Sequence, residues 1–152
     1  MVIKILTTVF LCIALTSATL AQAQSIPKPT LLLITRAEDE RRWDDDLRRL
    51  FSNPNPSIRK RAALAAGRIG NEGSVTALTD LLEHDKDVSV RSMAAFALGE
   101  VESESAANVL LTTLKNARGE LRARAIEALG KIAGVLPEPQ QARQRELGAA
   151  IL

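Results

Sequence analysis

At 152 residues, with 46% hydrophobic and 25% charged residues, the chain has room for one domain and the balance of an ordinary globular protein. Lys and Arg number 20 against 18 Asp and Glu, with the signs mixed along the chain, which excludes the one-sided basic surface of a nucleic-acid binder. Aromatics make up only 3%, so the core must come from Ala, Leu, Val and Ile, the composition of helices packed closely through small side chains.

The chain begins MVIKILTTVFLCIALTSATLAQAQS. An early Lys4, an apolar stretch from Ile5 to Leu15 and the small-x-small pattern Ala21-Gln22-Ala23 predict a secretory signal peptide over residues 1–23. The expected location is therefore outside the cytoplasm, periplasmic or extracellular. The apolar stretch is short and carries threonines, so no stable membrane insertion is expected once it is cleaved. Cys12 is not a lipidation site, because Val9, Phe10 and Leu11 before it are not the small residues such a site needs. Cleavage removes this single cysteine and leaves a mature chain with no disulfide to form, which an oxidising exterior permits.

Residues 24–29 form a linker, in which Pro27 and Pro29 discourage helix. Thr30 is placed to cap a helix through LLLITRAEDERR, and Trp43-Asp44 interrupts it. Asp44 then suits the N-cap of a second helix, DDLRRLFS, and NPNPS at 53–57 breaks the chain direction.

From there one line of sequence recurs: IRKRAALAAGRI at 58–69, VRSMAAFALGEV at 90–101 and LRARAIEALGKI at 121–132. Ile58, Val90 and Leu121 are equivalent, spaced 32 and 31 residues apart. So are Arg59, Arg91 and Arg122, and likewise Gly67, Gly99 and Gly130. Within each copy the apolar residues recur at three- and four-residue steps, the spacing of one helical face. A further helix-like segment precedes each copy, with Ser74 and Ser105 as expected N-caps of the second and third. Helices of about ten residues are marginal alone, so the pairs must stack to bury their apolar faces. A glycine inside a helix costs up to about 1 kcal/mol, so one repeated at Gly67, Gly99 and Gly130 is expected to admit a neighbouring backbone. The expected fold is all-α: an α-solenoid of stacked antiparallel helix pairs over 30–136, about three repeats behind an N-terminal capping helix. Residues 137–152 read as the start of a further, truncated repeat with an apolar, unpaired end.

The lines SIRKRAALAAGRIG, SVRSMAAFALGEV and ELRARAIEALGKI, each behind a short helix and a turn, resemble the short HEAT-like repeats of phycobilisome lyases. The resemblance covers about residues 44–134 and is specific for fold; such repeats serve lyases, hydroxylases, scaffolds and adaptor segments. The signal peptide followed by RAEDERRW and this array is similar to the N-terminal part of exported bacterial HEAT proteins. Some of those continue into a cyclophilin-type peptidyl-prolyl isomerase, whose activity would lie in a part absent from these 152 residues. The iron-holding His-Glu pairs of HEAT-like hydroxylases are missing, and a mature chain with one histidine and no cysteine gives tetrapyrrole chemistry little to work with.

Arg59, Arg91 and Arg122 open the second helices in register, which suits either a basic stripe for an acidic partner or a structural ladder. The ladder is favoured: each guanidinium would bond loop carbonyls and polar groups of the preceding turn, with Asp87 four residues before Arg91 and Asn55 four before Arg59. Arg118 in the matching third position interrupts that pattern. His84 reads as a solvated turn residue, Asp44-Asp45-Asp46 as an acidic first turn rather than a calcium loop, and Trp43 as the packing of the N-terminal helix on the first repeat. No catalytic residue, metal or cofactor is expected. The expected function is an exported, non-enzymatic interaction scaffold that binds a protein, or a further domain of the same polypeptide, through the concave face of the second helices.

Overall fold

The computed structural model describes residues 25–137 and 140–152. The signal-peptide expectation falls outside these residues. Helix α1 spans Lys28–Asp39, α2 Asp45–Arg49, α3 Pro56–Ile69, α4 Val75–His84, α5 Val88–Val101, α6 Ala107–Asn116, α7 Gly119–Val135 and α8 Gln141–Ala150. No strand occurs among the described residues. The fold is the all-α solenoid of helix pairs that the repeat implies.

Local chemistry sets most boundaries, in places differently from expectation. Helix α1 starts at Lys28, before Thr30, with Pro27 as its N-cap, because proline in a first turn removes no intrahelical hydrogen bond. It also stops earlier than expected, at Asp39. Arg41 turns left-handed (φ 49°), while its N–H reaches the Glu38 carbonyl and that of Arg42 the Ala37 carbonyl. This is a Schellman ending with arginine where glycine is usual. The Arg41 Nη2 donates to the Ile69 carbonyl at 2.7 Å, so the same residue closes the end of α3. Asp44 caps α2 as expected, accepting from the Leu47 N–H at 2.9 Å.

Ser74 holds the N-cap position of α4 as expected but makes no side-chain cap bond, and Ala106 rather than Ser105 holds that of α6. A 3-10 turn precedes each helix, at Glu72–Ser74 and Glu104–Ala106, and the capping oxygens belong to Asn71 and Ser103. The added turn moves the polar residue that meets free N–H groups to its own start, and the Ser74 hydroxyl donates to the Asn71 carbonyl instead.

Two layers result. The second helices α3, α5 and α7 stack directly on one another, while α4 lies against α5 and α6 against α7. Leu47, Leu78 and Leu110, one from each first helix, are fully buried, as are Leu98 and Leu129 of the second helices. Each such side chain contributes about 1.5–3 kcal/mol relative to exposure. Helix α1 closes the stack on α3, with Ile34 and Ala37 buried and Glu38 held by Arg61 at 2.7 and 2.6 Å. At the other end α8 packs on α7: Leu147 is fully buried and the Gln144 amide donates to the Ala133 carbonyl. The segment expected to be unpaired is thus a docked helix, because Leu147 falls on the face turned toward α7.

The glycines set the spacing of the second helices. A Cβ at Gly67 would stand 2.8 Å from the Cα of Ala97, and one at Gly99 would stand 2.6 Å from the Cα of Ala128. Gly130 departs from the expected close-packing role, with nothing within 4 Å of where its Cβ would stand. The element after α7 is α8, which packs on α7 but leaves the position of Gly130 uncovered. Helices α4 and α6 meet each other far less than the second helices do. A two-layer stack with unequal spacing curves toward the tighter layer, so the second helices form the inner face.

These contacts predict opposite outcomes for one substitution. Gly99→Ala gains up to about 1 kcal/mol of helix propensity but drives a methyl into a backbone atom, where overpacking costs about 1–3 kcal/mol or more. Gly130→Ala takes the gain without the clash. Thermal denaturation should show the melting temperature falling for the first and rising by a few degrees for the second; equal shifts would show that the glycines do not set the stacking distance.

Candidate functional site

The repeat arginines divide into three environments. Arg59 is buried, and its guanidinium is fully used. The Nε donates to Asp85 Oδ2 at 2.6 Å, the Nη2 to Asp85 Oδ1 at 2.8 Å, and the Nη1 to the carbonyls of Asn53 and Pro54 at 2.8 and 3.2 Å. Both side chains of the pair are shielded, at 7% and 4% exposure. Arg91 is half-buried and donates from Nη1 to the Asp85 carbonyl at 2.7 Å. Asp85 therefore serves two repeats, with its side chain turned to the preceding arginine and its backbone to the following one.

Arg122 is exposed and bonds the Leu114 carbonyl, eight residues back rather than six. The turn before it is one residue shorter than the turn before Arg91. Arg118 holds the N-cap position there without a side-chain cap, and Gly119 adopts φ 59°. The interruption expected at this junction is real.

Asp87 is not the ladder carboxylate. It caps α5, accepting from the Ser89 N–H at 2.8 Å, just as Asn55 caps α3 through the Ser57 N–H at 2.9 Å. Four residues before each arginine is the N-cap, whose side chain folds onto the free N–H groups of its own helix. The hydrogen bond with Ser89 holds the Asp87 carboxyl below its ordinary range. Two residues earlier the chain is still in the turn, and there Asp85 faces back across the junction. Burial pushes the Asp85 carboxyl up, but the Arg59 fork, the Asp87 N–H and the Arg59 charge outweigh it and hold it below the usual carboxylate value.

A basic stripe does not form, since Arg59 is sealed. What lies on the inner face instead is a charged lattice around a half-exposed aromatic. The Arg124 guanidinium lies 5.2 Å from the Phe96 ring centroid and the Lys131 ammonium 4.8 Å from it. Lys131 pairs with Glu100 of the preceding repeat and, at 3.1 Å, with Glu127, which also receives Arg124 at 2.9 Å. The bond to Glu100 is the foremost reason that the Lys131 ammonium holds its proton more tightly than usual. Sequence reasoning missed this cluster, although a signal was present. Its members stand where the three copies disagree: Arg61, Met93 and Arg124; Leu64, Phe96 and Glu127; Arg68, Glu100 and Lys131.

Trp43 packs edge-on against Phe51 with centroids 5.3 Å apart, under the Arg48 guanidinium, between the end of α1 and the first repeat. His84 is exposed at the end of α4, its Nδ1 3.1 Å from Asp80 Oδ1. Among the described residues no three His, Cys, Asp or Glu side chains converge on a metal position, and no helix is long and apolar enough to cross a membrane.

The buried pair makes acid stability a test of the junction. The depressed Asp85 value means that the pair's contribution is present above the unfolded carboxylate value of about 4 and is lost as pH falls through the lower folded value. Removing one partner of such a pair costs about 3–5 kcal/mol. Melting curves from pH 7 to pH 2 should show Asp85→Asn starting lower and declining less steeply in acid than the parent chain. An unchanged acid slope would place the sensitivity outside this pair.

A family model for HEAT repeats matches residues 32–89 and, again, 75–143. No curated protein matches the chain.

Proposed function

The chain belongs to the HEAT-repeat family, and from that premise we propose that it is an exported interaction scaffold whose partner is a protein held on the inner, second-helix face. The observation that carries this is Phe96, half-exposed at the middle of that face and ringed by Arg124, Lys131, Glu100 and Glu127. An aromatic anchor inside a polar, ion-paired rim is the anatomy of a protein–protein contact. The rim is held by the Lys131–Glu100 bond between repeats and by the Glu127 pairs with Lys131 and Arg124 within α7, so it is pre-ordered and little side-chain entropy remains to be lost on binding. The face is also where the repeats differ from one another, and individuality at otherwise repeated positions is what selection for a partner would leave.

Affinity capture on the immobilised chain, quantified by mass spectrometry beside Phe96→Ala, tests the face. The expected result is a protein enriched about tenfold or more by the parent chain and lost with Phe96→Ala, while Arg48→Ala, on the opposite side of the first repeat, retains it. Equal capture by all three would remove the inner face from the proposal.

Export rests on the order of charge, apolar stretch and small residues at the N-terminus. Expression in a bacterium with a functioning secretion system should yield a mature chain beginning at Gln24, seen as the intact mass of the exported fraction. A chain that keeps Met1 to Ala23 in the cytoplasm would end that part of the proposal.

A further inference from the structure

Arg59 and Arg91 occupy the same repeat position, yet only one of them has its carboxylate. Arg59 receives Asp85 from the end of the following first helix, whose N–H bonds the Leu81 carbonyl. The matching place for Arg91, at the end of α6, is held by Ala117, whose N–H bonds the Thr113 carbonyl in the same way. Alanine carries no acceptor. Asn116 before it makes no hydrogen bond to Arg91, and the Nη1 bond to the Asp85 carbonyl is the hydrogen bond that Arg91 makes among the described residues. Its Nε and Nη2 make no hydrogen bond, and neither is fully buried.

The space that a carboxylate would occupy is open. A groove of about 390 Å³ runs between α4 and α6, lined by Arg91, Asn116 and Ala117 and walled by Leu82, Val109 and Leu121. It exists because the second helices meet closely through glycine while the first helices stand apart. One acidic side chain, Glu83, lines it from α4 and is exposed. That charge favours a ligand with a single carboxylate over a multiply charged anion such as phosphate.

We propose that this groove binds one Asp or Glu side chain of a partner polypeptide, flanked by aliphatic residues, which completes the Arg91 fork as Asp85 completes that of Arg59. The fork geometry of a guanidinium suits a carboxylate bidentately, and the apolar walls accept the neighbouring side chains. The site deepens the scaffold reading but lies on different residues from Phe96. Failure of capture through Phe96 and failure of this site are therefore read separately.

The probe is the acetylated and amidated tripeptide Leu-Glu-Leu, titrated into the labelled chain while the Arg91 Nε–H and the methyls of Leu82, Val109 and Leu121 are followed by NMR. A saturable shift of both sets is expected, with a dissociation constant of about 1 mM for so small a ligand. The Leu-Gln-Leu peptide should bind about tenfold more weakly or worse, since only the carboxylate takes a charge-assisted fork. Ala117→Asp supplies the missing group internally and should abolish the peptide shifts while raising the melting temperature. Arg91→Lys, which keeps the charge and loses the fork, should weaken binding about tenfold, and this decides the matter if Ala117→Asp does not fold. Equal binding of the Gln peptide, or unchanged binding to Arg91→Lys, would overturn the proposal. Saturation by acetate or inorganic phosphate at the same concentration would replace the peptide side chain with a free anion and overturn it as well.

Discussion

The stack depends on one distance, the approach of each second helix to the next where a glycine faces an alanine. Gly67 meets Ala97 and Gly99 meets Ala128, at separations no Cβ could share. Because backbone lies against backbone there, the inner layer cannot slide or spread without losing the contact. The larger side chains are displaced to the outer layer, where Leu78 and Leu110 fill the space between first and second helices. The curvature, the inner face with Phe96 and the groove between α4 and α6 all follow from that asymmetry between a tight layer and a loose one.

Upon this frame one repeated arginine acquires three uses. At the first junction the Arg59–Asp85 pair is shielded and fully hydrogen-bonded, the condition under which a buried charge is tolerated. At the second the carboxylate is absent and Arg91 keeps a backbone carbonyl alone. At the third the shortened turn moves Arg122 outward. The consequence is that the repeated arginine locks the first and second repeats most strongly, while the second and third are joined electrostatically by Lys131 and Glu100 instead. A rigid first junction beside an incompletely bonded second one concentrates the capacity to accept a ligand at the second.

The repeat made the architecture legible: equal spacing of apolar residue, arginine and glycine has few interpretations other than stacked helix pairs. The role of Gly99 could be argued from cost alone, since a helical glycine must be compensated. Gly130 shows the limit, because the same residue in the same register meets no neighbour within 4 Å of where its Cβ would stand. The ladder carboxylate is Asp85 rather than Asp87, and it turns to Arg59 of the preceding repeat rather than to Arg91, for a related reason. Sequence spacing locates a residue along the chain but not the direction of its side chain, and Asp87 spends its oxygen on its own helix. The 3-10 turns before α4 and α6 and the left-handed Arg41 were illegible, since each is stabilised by a tertiary bond or by a cap one turn from where propensity alone puts it.

The division between repeated and unrepeated positions is then a division of labour. Most positions that recur are consumed by the frame: apolar residues by the core, Gly67 and Gly99 by the approach of backbones, Arg59 by its junction. Such residues cannot also present themselves to a partner, because their polar atoms are satisfied and their surfaces covered. Recognition must be carried by departures from the repeat, and the departures are physical as well as compositional. Phe96 stands where its counterparts are Leu64 and Glu127, and Ala117 where the earlier junction has Asp85. The first places an aromatic on a pre-ordered charged face; the second opens half of a guanidinium fork into a groove. An exact repetition of the first copy would have replaced Phe96 by leucine and Ala117 by aspartate, and left a stable rod with nothing distinctive to offer. The departures of the second and third copies are thus what turn a packing scheme into a surface that can discriminate.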